Sequence, residues 1–252
     1  MRILITNDDG IYAEGIKILA ESLCKIADVT VVAPMFEQSG SGHGITVHTP
    51  LRLRPIDLSP NWSAWIVQGM PTDCVKLAIE QILEQRPDIV VSGVNNGSNL
   101  GTDIIYSGTV SGAIEGYLYG IPSIAVSITN RHGDFAYAAD FVRDLCCEWQ
   151  KNMPVNPVMY NINVPSGGRE VIKGVCYTKM GRRWYNNTFE QRQDPHGRPY
   201  YWLSGDVDNS GNDEETDVFA INNNFISITP LSVDLTNYVV LRRLNQQNLP
   251  LK

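Results

Sequence analysis

From Arg2 to Asn163, short apolar runs of strand length alternate with stretches whose apolar residues recur at helical spacing. Residues 2–6 and 28–33 read as strands, and between them Ile16, Leu19, Ala20, Leu23 and Ile26 keep to one helical face. Pro71 opens a helix with Val75, Ala78, Ile79, Ile82 and Leu83 on an i, i+3, i+4, i+7, i+8 stripe. Residues 89–92, 123–127 and 159–163 continue the strands. Val110, Ala113, Ile114, Tyr117 and Leu118 repeat the stripe, as do Ala138, Phe141, Val142, Leu145, Cys146 and Trp149. Alternating strand and helix units predict an α/β fold with a mainly parallel sheet and helices on both faces. Between Pro34 and Gly69 the pattern lapses into a flexible loop with Gly40, Gly42 and Gly44, then short strands near residues 51–54 and 64–67.

Composition fits one large α/β domain: 252 residues, 43% hydrophobic and 19% charged, below the usual charged share of about 25%. That is too apolar for a disordered chain. No apolar run approaches the ~18 residues of a membrane helix. At the N-terminus, Asp8 and Asp9 cut short the apolar stretch, which excludes a signal peptide. The five cysteines, with Cys146 and Cys147 adjacent, read as reduced thiols of a cytoplasmic protein. A net charge of −7 argues against nucleic acid as the main partner. After about Val164, strand-like runs mix with Trp184, Tyr185, Tyr200, Tyr201 and Trp202 among Arg182, Arg183, Arg192 and Arg198. Such a surface could stack bases. The plainer expectation is an extended hairpin arm packing on another subunit, because interface cores enrich aromatics and arginine.

In an open parallel sheet, ligands bind beyond the carboxyl ends of the strands, where strand order reverses. Here those ends are polar: Asn7-Asp8-Asp9-Gly10 after the first strand, Glu37-Gln38-Ser39-Gly40-Ser41 after the second, and Gly93-Val94-Asn95-Asn96-Gly97 after the strand at 89–92. Asp8, Asp9, Asn95 and Asn96 would then converge. Paired carboxylates with amide and hydroxyl oxygens suit a hard cation such as Mg²⁺ or Mn²⁺ rather than Zn²⁺. Asp8-Asp9-Gly10 also fits an ordinary turn plus helix cap. Tyr106-Ser107-Gly108-Thr109 precedes a helix, whose free N–H groups and positive dipole end suit an anion; Gly108 allows close approach. Ordinary capping is the competing explanation. A cation beside an anion-binding helix end suggests a metal-bound phosphate ester.

Other motifs fail. The chain has no G-x-x-x-x-G-K-[ST] and no H-E-x-x-H, and no G-x-S-x-G. No helix pattern follows the G-x-G-x-G at Gly40–Gly44, against a dinucleotide fingerprint. Asp206-Val207-Asp208-Asn209-Ser210-Gly211 approaches an EF-hand loop, but the twelfth position is Asp217 and no helices flank it, so it reads as a solvated acidic loop. His43, His48, His132 and His196 are scattered. His43, in the glycine loop, is within reach of a ligand, but a solvent-exposed loop histidine is the plainer expectation.

Arg2-Ile3-Leu4-Ile5-Thr6-Asn7-Asp8-Asp9-Gly10, Gln38-Ser39-Gly40, Pro71-Thr72-Asp73-Cys74-Val75, Ser92-Gly93-Val94-Asn95, Asn99-Leu100-Gly101, Tyr106-Ser107-Gly108-Thr109-Val110, Asn161-Ile162-Asn163-Val164-Pro165 and Ser227-Ile228-Thr229-Pro230-Leu231 closely resemble the SurE (stationary-phase survival protein E) family over nearly the whole chain. The resemblance implies a Rossmann-like single domain over 1–252: a core at about 1–165, then a C-terminal β-hairpin arm and an exchanged C-terminal segment at about 166–252. It implies a cytoplasmic homodimer or tetramer. It also implies a metal-dependent phosphatase, a 5′- and 3′-nucleotidase in which some members trim short polyphosphate. Carried over by motif, Asp8, Asp9, Ser39 and Asn95 would hold one Mg²⁺ or Mn²⁺ per subunit, and Asn96, Ser107, Gly108 and Thr109 the phosphate. Two departures stand out: Met35-Phe36 where the family has Asp-Arg, and Gly69-Met70-Pro71 where it has Gly-Thr-Pro.

Three functions are compatible with this. One is a divalent-metal phosphomonoesterase, with Asp8 and Asp9 catalytic and either water or a carboxylate, Asp8 foremost, attacking phosphorus. Another is a nucleotide-binding module without turnover, which would not need the four metal-ligand positions. A metal-dependent glycosyltransferase rests on fold analogy alone.

Overall fold

The computed structural model describes residues 1–129, 134–186 and 188–246; His132 lies outside them. β1 (Arg2–Thr6), α1 (Glu14–Leu23), β2 (Asp28–Pro34), β3 (Leu53–Ile56), β4 (Ser63–Val67) and α2 (Pro71–Leu77) form the first part. β5 (Ile89–Asn96), α3 (Gly108–Leu118), β6 (Ser123–Ile128), α4 (Phe135–Lys151) and β7 (Met159–Val164) follow. The C-terminal part contains β8 (Gly174–Tyr177), β9 (Trp184–Asn186), β10 (Phe189–Gln193), β11 (Pro199–Leu203), β12 (Asp206–Asp208), α5 (Asp217–Asn222), β13 (Phe225–Pro230) and α6 (Tyr238–Gln246).

Nine strands form one sheet in the order β3-β4-β2-β1-β5-β6-β7-β13-β8. It is mainly parallel; β3 on β4 and β13 on β7 run antiparallel. The expected α/β fold is therefore present. From β1 the chain steps outward to β2 and β4, then returns to the other flank of β1 with β5, pairing Thr6 with Ser92. Strand order reverses between β1 and β5, so a crevice opens there.

Side chains alternate across a strand, and both faces of this sheet are covered. Ile3 and Ile5 pack with Leu19 of α1 and Val142 of α4 in one apolar layer; Leu4 joins Val32, Val75 and Ala78 of the α2 side in the other. Burying each such side chain contributes about 1.5–3 kcal/mol. The helical stripe from Pro71 does not continue as regular α-helix to Leu83, because the chain widens into a looser turn at Ala78–Ile82. At the start of that helix Met70 offers no side-chain cap. Asp73 compensates: its Oδ2 accepts the Met70 N–H at 2.9 Å.

The sheet does not stop near residue 165. β8 and β13 extend it, because Ile226 and Ile228 need the apolar cover that β7 and α4 provide. Within 166–252, the stretch expected to hold the arm together with an exchanged segment, the arm itself is short. It comprises two antiparallel ladders, β9 with β12 and β10 with β11. The segment expected to be an acidic loop begins as β12. At the arm's tip Asp194 accepts the backbone N–H groups of His196 (2.8 Å) and Arg198 (3.0 Å). Every residue of β10 and β11 is exposed, and α6 buries none of its own. Among the described residues no helix is long and apolar enough to cross a membrane.

Asp217 ties the arm's root to the body. Its Oδ2 accepts the Gly101 N–H, and its Oδ1 accepts those of Gly181 and Val218, each at 2.8 Å. Burial pushes its carboxyl up, and these N–H bonds oppose that push. Replacing Asp217 with Ala leaves three donors unpaired, and a loss on the order of 3 kcal/mol is expected. Urea unfolding of Asp217→Ala against wild type checks this.

Candidate active site

The carboxyl ends of β1, β2 and β5 open on a cleft of about 1010 Å³. Asp8, Asp9, Ser39, Asn95, Asn96 and Ser107 all line it, so chain segments far apart in sequence supply one wall. The competing explanations for two of these motifs do not apply in full. α1 begins at Ala13 with no side-chain cap, so neither aspartate caps it. The turn is instead built by buried Asn7, whose amide donates to the Gly10 carbonyl at 2.9 Å and accepts the Gly10 N–H at 3.2 Å. Both carboxylates are thereby left for the cleft.

Asp8 is 4% exposed. The Thr109 hydroxyl donates to its Oδ1. Burial, opposed by that Thr109 bond and reinforced by Asp9, raises the Asp8 carboxyl from its ordinary 3.8 to about 6. Asp9 is also raised, first by burial and then by Glu37, while the Asn96 N–H, donating to its Oδ2 at 3.2 Å, lowers it. Among the described residues neither carboxylate forms a salt bridge with a lysine, arginine or histidine, as the ion pair nearest the cleft, Arg183 with Asp103, illustrates by contrast.

Thr109 and Gly108 sit differently from expectation. Thr109 is fully buried, and its hydroxyl faces Asp8 rather than the cleft. A Cβ on Gly108 would lie 2.7 Å from the Asp8 Cβ and 2.9 Å from its Oδ2. The closeness that glycine permits here is therefore that of Asp8 to α3. Ser107 lines the cleft and also caps α3, accepting the Val110 N–H at 3.1 Å. Capping and cleft lining coexist in this residue.

Asn95 and Asn96 reach the cleft because β5 runs past Ser92 and its register with β6 shifts between Ser92 and Asn95, which re-aims them. The Asn95 amide nitrogen donates to the Gly97 carbonyl at 2.7 Å, leaving its side-chain oxygen free. Ser39 stands on the loop after β2, its hydroxyl donating to Glu37 Oε1 at 2.7 Å, which leaves its lone pairs unused. The loop is pinned to β1 by the Gln38 N–H on the Asp8 carbonyl at 2.7 Å. No group of three or more His, Cys, Asp or Glu spaced for a metal exists among the described residues. The donor set is two carboxylates with hydroxyl and amide oxygens. A buried carboxylate lacking a cationic partner beside free oxygens fits a hard cation.

Several cleft residues escaped sequence reasoning. Asn99 lines the cleft and is locked from behind: its N–H and amide donate to Asn163 and Ser127, both at 2.8 Å, and its carbonyl accepts from Asn161 (2.8 Å) and Asn163 (2.9 Å). The Asn161-Ile162-Asn163 spacing was the available signal, since residues two apart on a strand share a face. From the arm, Tyr185 and Leu203 form the opposite wall. Asp103 fixes Tyr185, accepting from its hydroxyl at 2.6 Å and from Arg183 at 2.7 Å. Burial, then the Asp103 bond, pushes the Tyr185 hydroxyl up to about 12. Phe36, one of the two departures, stands 67% exposed and outside the cleft lining. His43 is not a free loop histidine: its Nε2 lies 3.1 Å from Glu115.

A family model described as survival protein SurE matches residues 3–187. The chain is 49% identical over 247 residues to the 5′-nucleotidase SurE of Heliobacterium modesticaldum, covering 97% of this chain and 91% of that protein. It is 47% identical over 252 residues to the 5′-nucleotidase SurE of Alkaliphilus metalliredigens, covering 99% of each. The crystal structure of SurE protein from Aquifex aeolicus superposes with a TM-score of 0.84 at 39% identity, covering 98% of this chain and 99% of that one.

Two expectations follow from the geometry. The folded state holds the Asp8 proton up to about pH 6 and the unfolded state only to about 3.8. Stability therefore falls as pH climbs through that window, by on the order of 3 kcal/mol. With chelator present, Asp8→Asn is expected to melt about 5 °C above wild type at pH 8, the gap closing below pH 4; thermal melts at both pH values check it. Gly108→Ala is expected to displace the Asp8 carboxylate at a stability cost of about 1–3 kcal/mol, visible as a shifted Asp8 titration by NMR.

Proposed function

This chain is a member of the SurE family, and on that premise we propose that it is a divalent-metal-dependent phosphomonoesterase. Its substrates are nucleoside 5′-monophosphates, and 3′-monophosphates as well, hydrolysed to nucleoside and phosphate. The observation that carries the proposal is the burial of Asp8 beside Asp9 at the strand-order reversal, with no cationic partner among the described residues and free oxygens around them. The relatives named 5′-nucleotidase support the substrate class.

Asp8, Asp9, Ser39 and Asn95 would hold one Mg²⁺ or Mn²⁺. When bound, such an ion polarises a phosphoryl oxygen and lowers the pKa of a water. Asn96, the Ser107 hydroxyl and the Gly108–Thr109 start of α3 would take the phosphate oxygens at a positive helix end. The Thr109 hydroxyl, donating to Asp8 Oδ1, holds that carboxyl in place and favours its charged form. Tyr185 and Leu203 would wall in the nucleoside and exclude water from one side.

The exposed aromatics of the arm and the unburied apolar face of α6, with Val239, Val240, Leu241 and Leu244 at 41–56% exposure, support a homodimer or tetramer. In it the C-terminal segment of about 166–252 supplies the contacts, as part of a single domain over 1–252. A cytoplasmic setting accords with this chemistry.

A nucleotide-binding module without turnover would keep the helix end but gain nothing from burying Asp8 unpaired. Release of phosphate from AMP with Mn²⁺, abolished by chelator, is the expected result; binding of AMP without phosphate release would favour the module. Asp9→Asn is expected to lower kcat/KM at least ~100-fold with an unchanged circular dichroism spectrum. Retained turnover in that variant would remove Asp9 from the site.

A further inference from the structure

Glu115 lies on α3 about two turns beyond Ser107, with its side chain only 6% exposed. It does not line the cleft. It faces a second, smaller cavity of about 420 Å³, lined by His43, Lys76, Leu118 and Tyr119 among others. Its Oε2 is 3.1 Å from His43 Nε2 and its Oε1 3.1 Å from Lys76 Nζ. Burial pushes this carboxyl up, but the bonds from His43 and Lys76 outweigh burial and hold it below its usual range. The carboxylate therefore remains charged inside the fold. A lone buried charge is costly unless paired, so both partners matter to it.

His43 belongs to the loop that carries Glu37 and Ser39 into the cleft. That loop is rich in glycine, and Gly40 and Gly42 have φ of +73° and +54°, so its order has to be imposed from outside. Backbone N–H groups pin it: Gln38 to the Asp8 carbonyl (2.7 Å), Gly42 to the Tyr106 carbonyl (3.0 Å) and Thr46 to the Asp73 carboxylate (3.1 Å). Between residues 40 and 44, among the described residues, His43 alone ties a side chain to the body.

We propose that Glu115 is a positioning residue of the active site: by gripping His43 it sets the loop that delivers Ser39 to the cleft. This rests on the nucleotidase reading for its kinetic arm and on the proposed metal site for its Mn²⁺ arm; the loop-exchange arm rests on neither. Lys76 balances the second oxygen, so the buried carboxylate does not depend on His43 alone.

The test uses the full chain with Glu115→Ala, His43→Ala, the double variant and Glu115→Gln. Three measurements are made: amide exchange of segment 37–46 by mass spectrometry, Mn²⁺ affinity by calorimetry, and kcat and KM on AMP. Both alanine variants are expected to speed loop exchange and weaken Mn²⁺ binding about tenfold, with the double variant no worse than either, as for groups acting as one unit. Glu115→Gln keeps an oxygen for His43 and is expected to restore most of the loss. A Glu115→Ala protein that melts lower but keeps wild-type loop exchange and Mn²⁺ affinity overturns the proposal, as do additive losses in the double variant. If wild type releases no phosphate from any nucleotide, or binds no Mn²⁺, the functional reading fails in that part, while the exchange arm still decides whether Glu115 sets the loop.

Discussion

The rest of the site depends on one constraint: the Asp8 carboxylate is buried at the end of β1 against the start of α3, with a hydroxyl for a partner and, among the described residues, no cationic side chain. Moving a charge out of water is costly, and here the cost is only partly offset by Thr109 and the helix end. Several local choices make sense only beside that carboxylate. Gly108 is glycine because Asp8 occupies the space of its Cβ. Asn7 builds the turn so that Asp8 and Asp9 need not. The Asp8 carbonyl, on the same residue, anchors the loop after β2. A positive charge entering the cleft would relieve the tension that all of these maintain.

Around that centre, polar residues outside the cleft do the building. Asn161, Asn163 and Ser127 hold Asn99 from three sides through its N–H, its amide and its carbonyl, so one wall rests on a buried amide network. Asp217 stitches Gly101 to Gly181 and so fixes the hinge between body and arm. Asp103 then holds Arg183 and Tyr185, carrying that rigidity to the far wall. The arm, though its strands β10 and β11 are wholly exposed, is thus tied into the cleft at its root.

The sheet and its helices were legible because they obey two periods, 2.0 and 3.6, that survive without knowledge of neighbours. The convergence of Asp8, Asp9, Asn95 and Asn96 followed from strand ends and a reversal of strand order. What was not legible depended on direction or distance. Thr109 looked like a cleft hydroxyl because its position at a helix start is right; that its side chain turns to Asp8 is a rotamer, invisible in sequence. Glu115 fell on the polar side of a helical stripe and gave no sign of burial, since its partners lie at positions 43 and 76. β8 and β13 fell inside the 166–252 stretch read as arm and exchanged segment, because strand-like runs carry no label of the sheet they join. Tyr185 was legible as an arm residue but not as cleft wall.

Helix α3 joins these observations. Its first turn meets Asp8 and opens on the cleft, while Glu115, on the same rigid rod, grips the loop that brings Ser39 to that cleft. Both ends of the oxygen cluster are therefore referenced to one element rather than to two independent loops. A helix packed by Val110 and Ala113 against the sheet has little freedom to shift. Fixed spacing is what a small hard ion demands of its ligands, more than strength in any single contact.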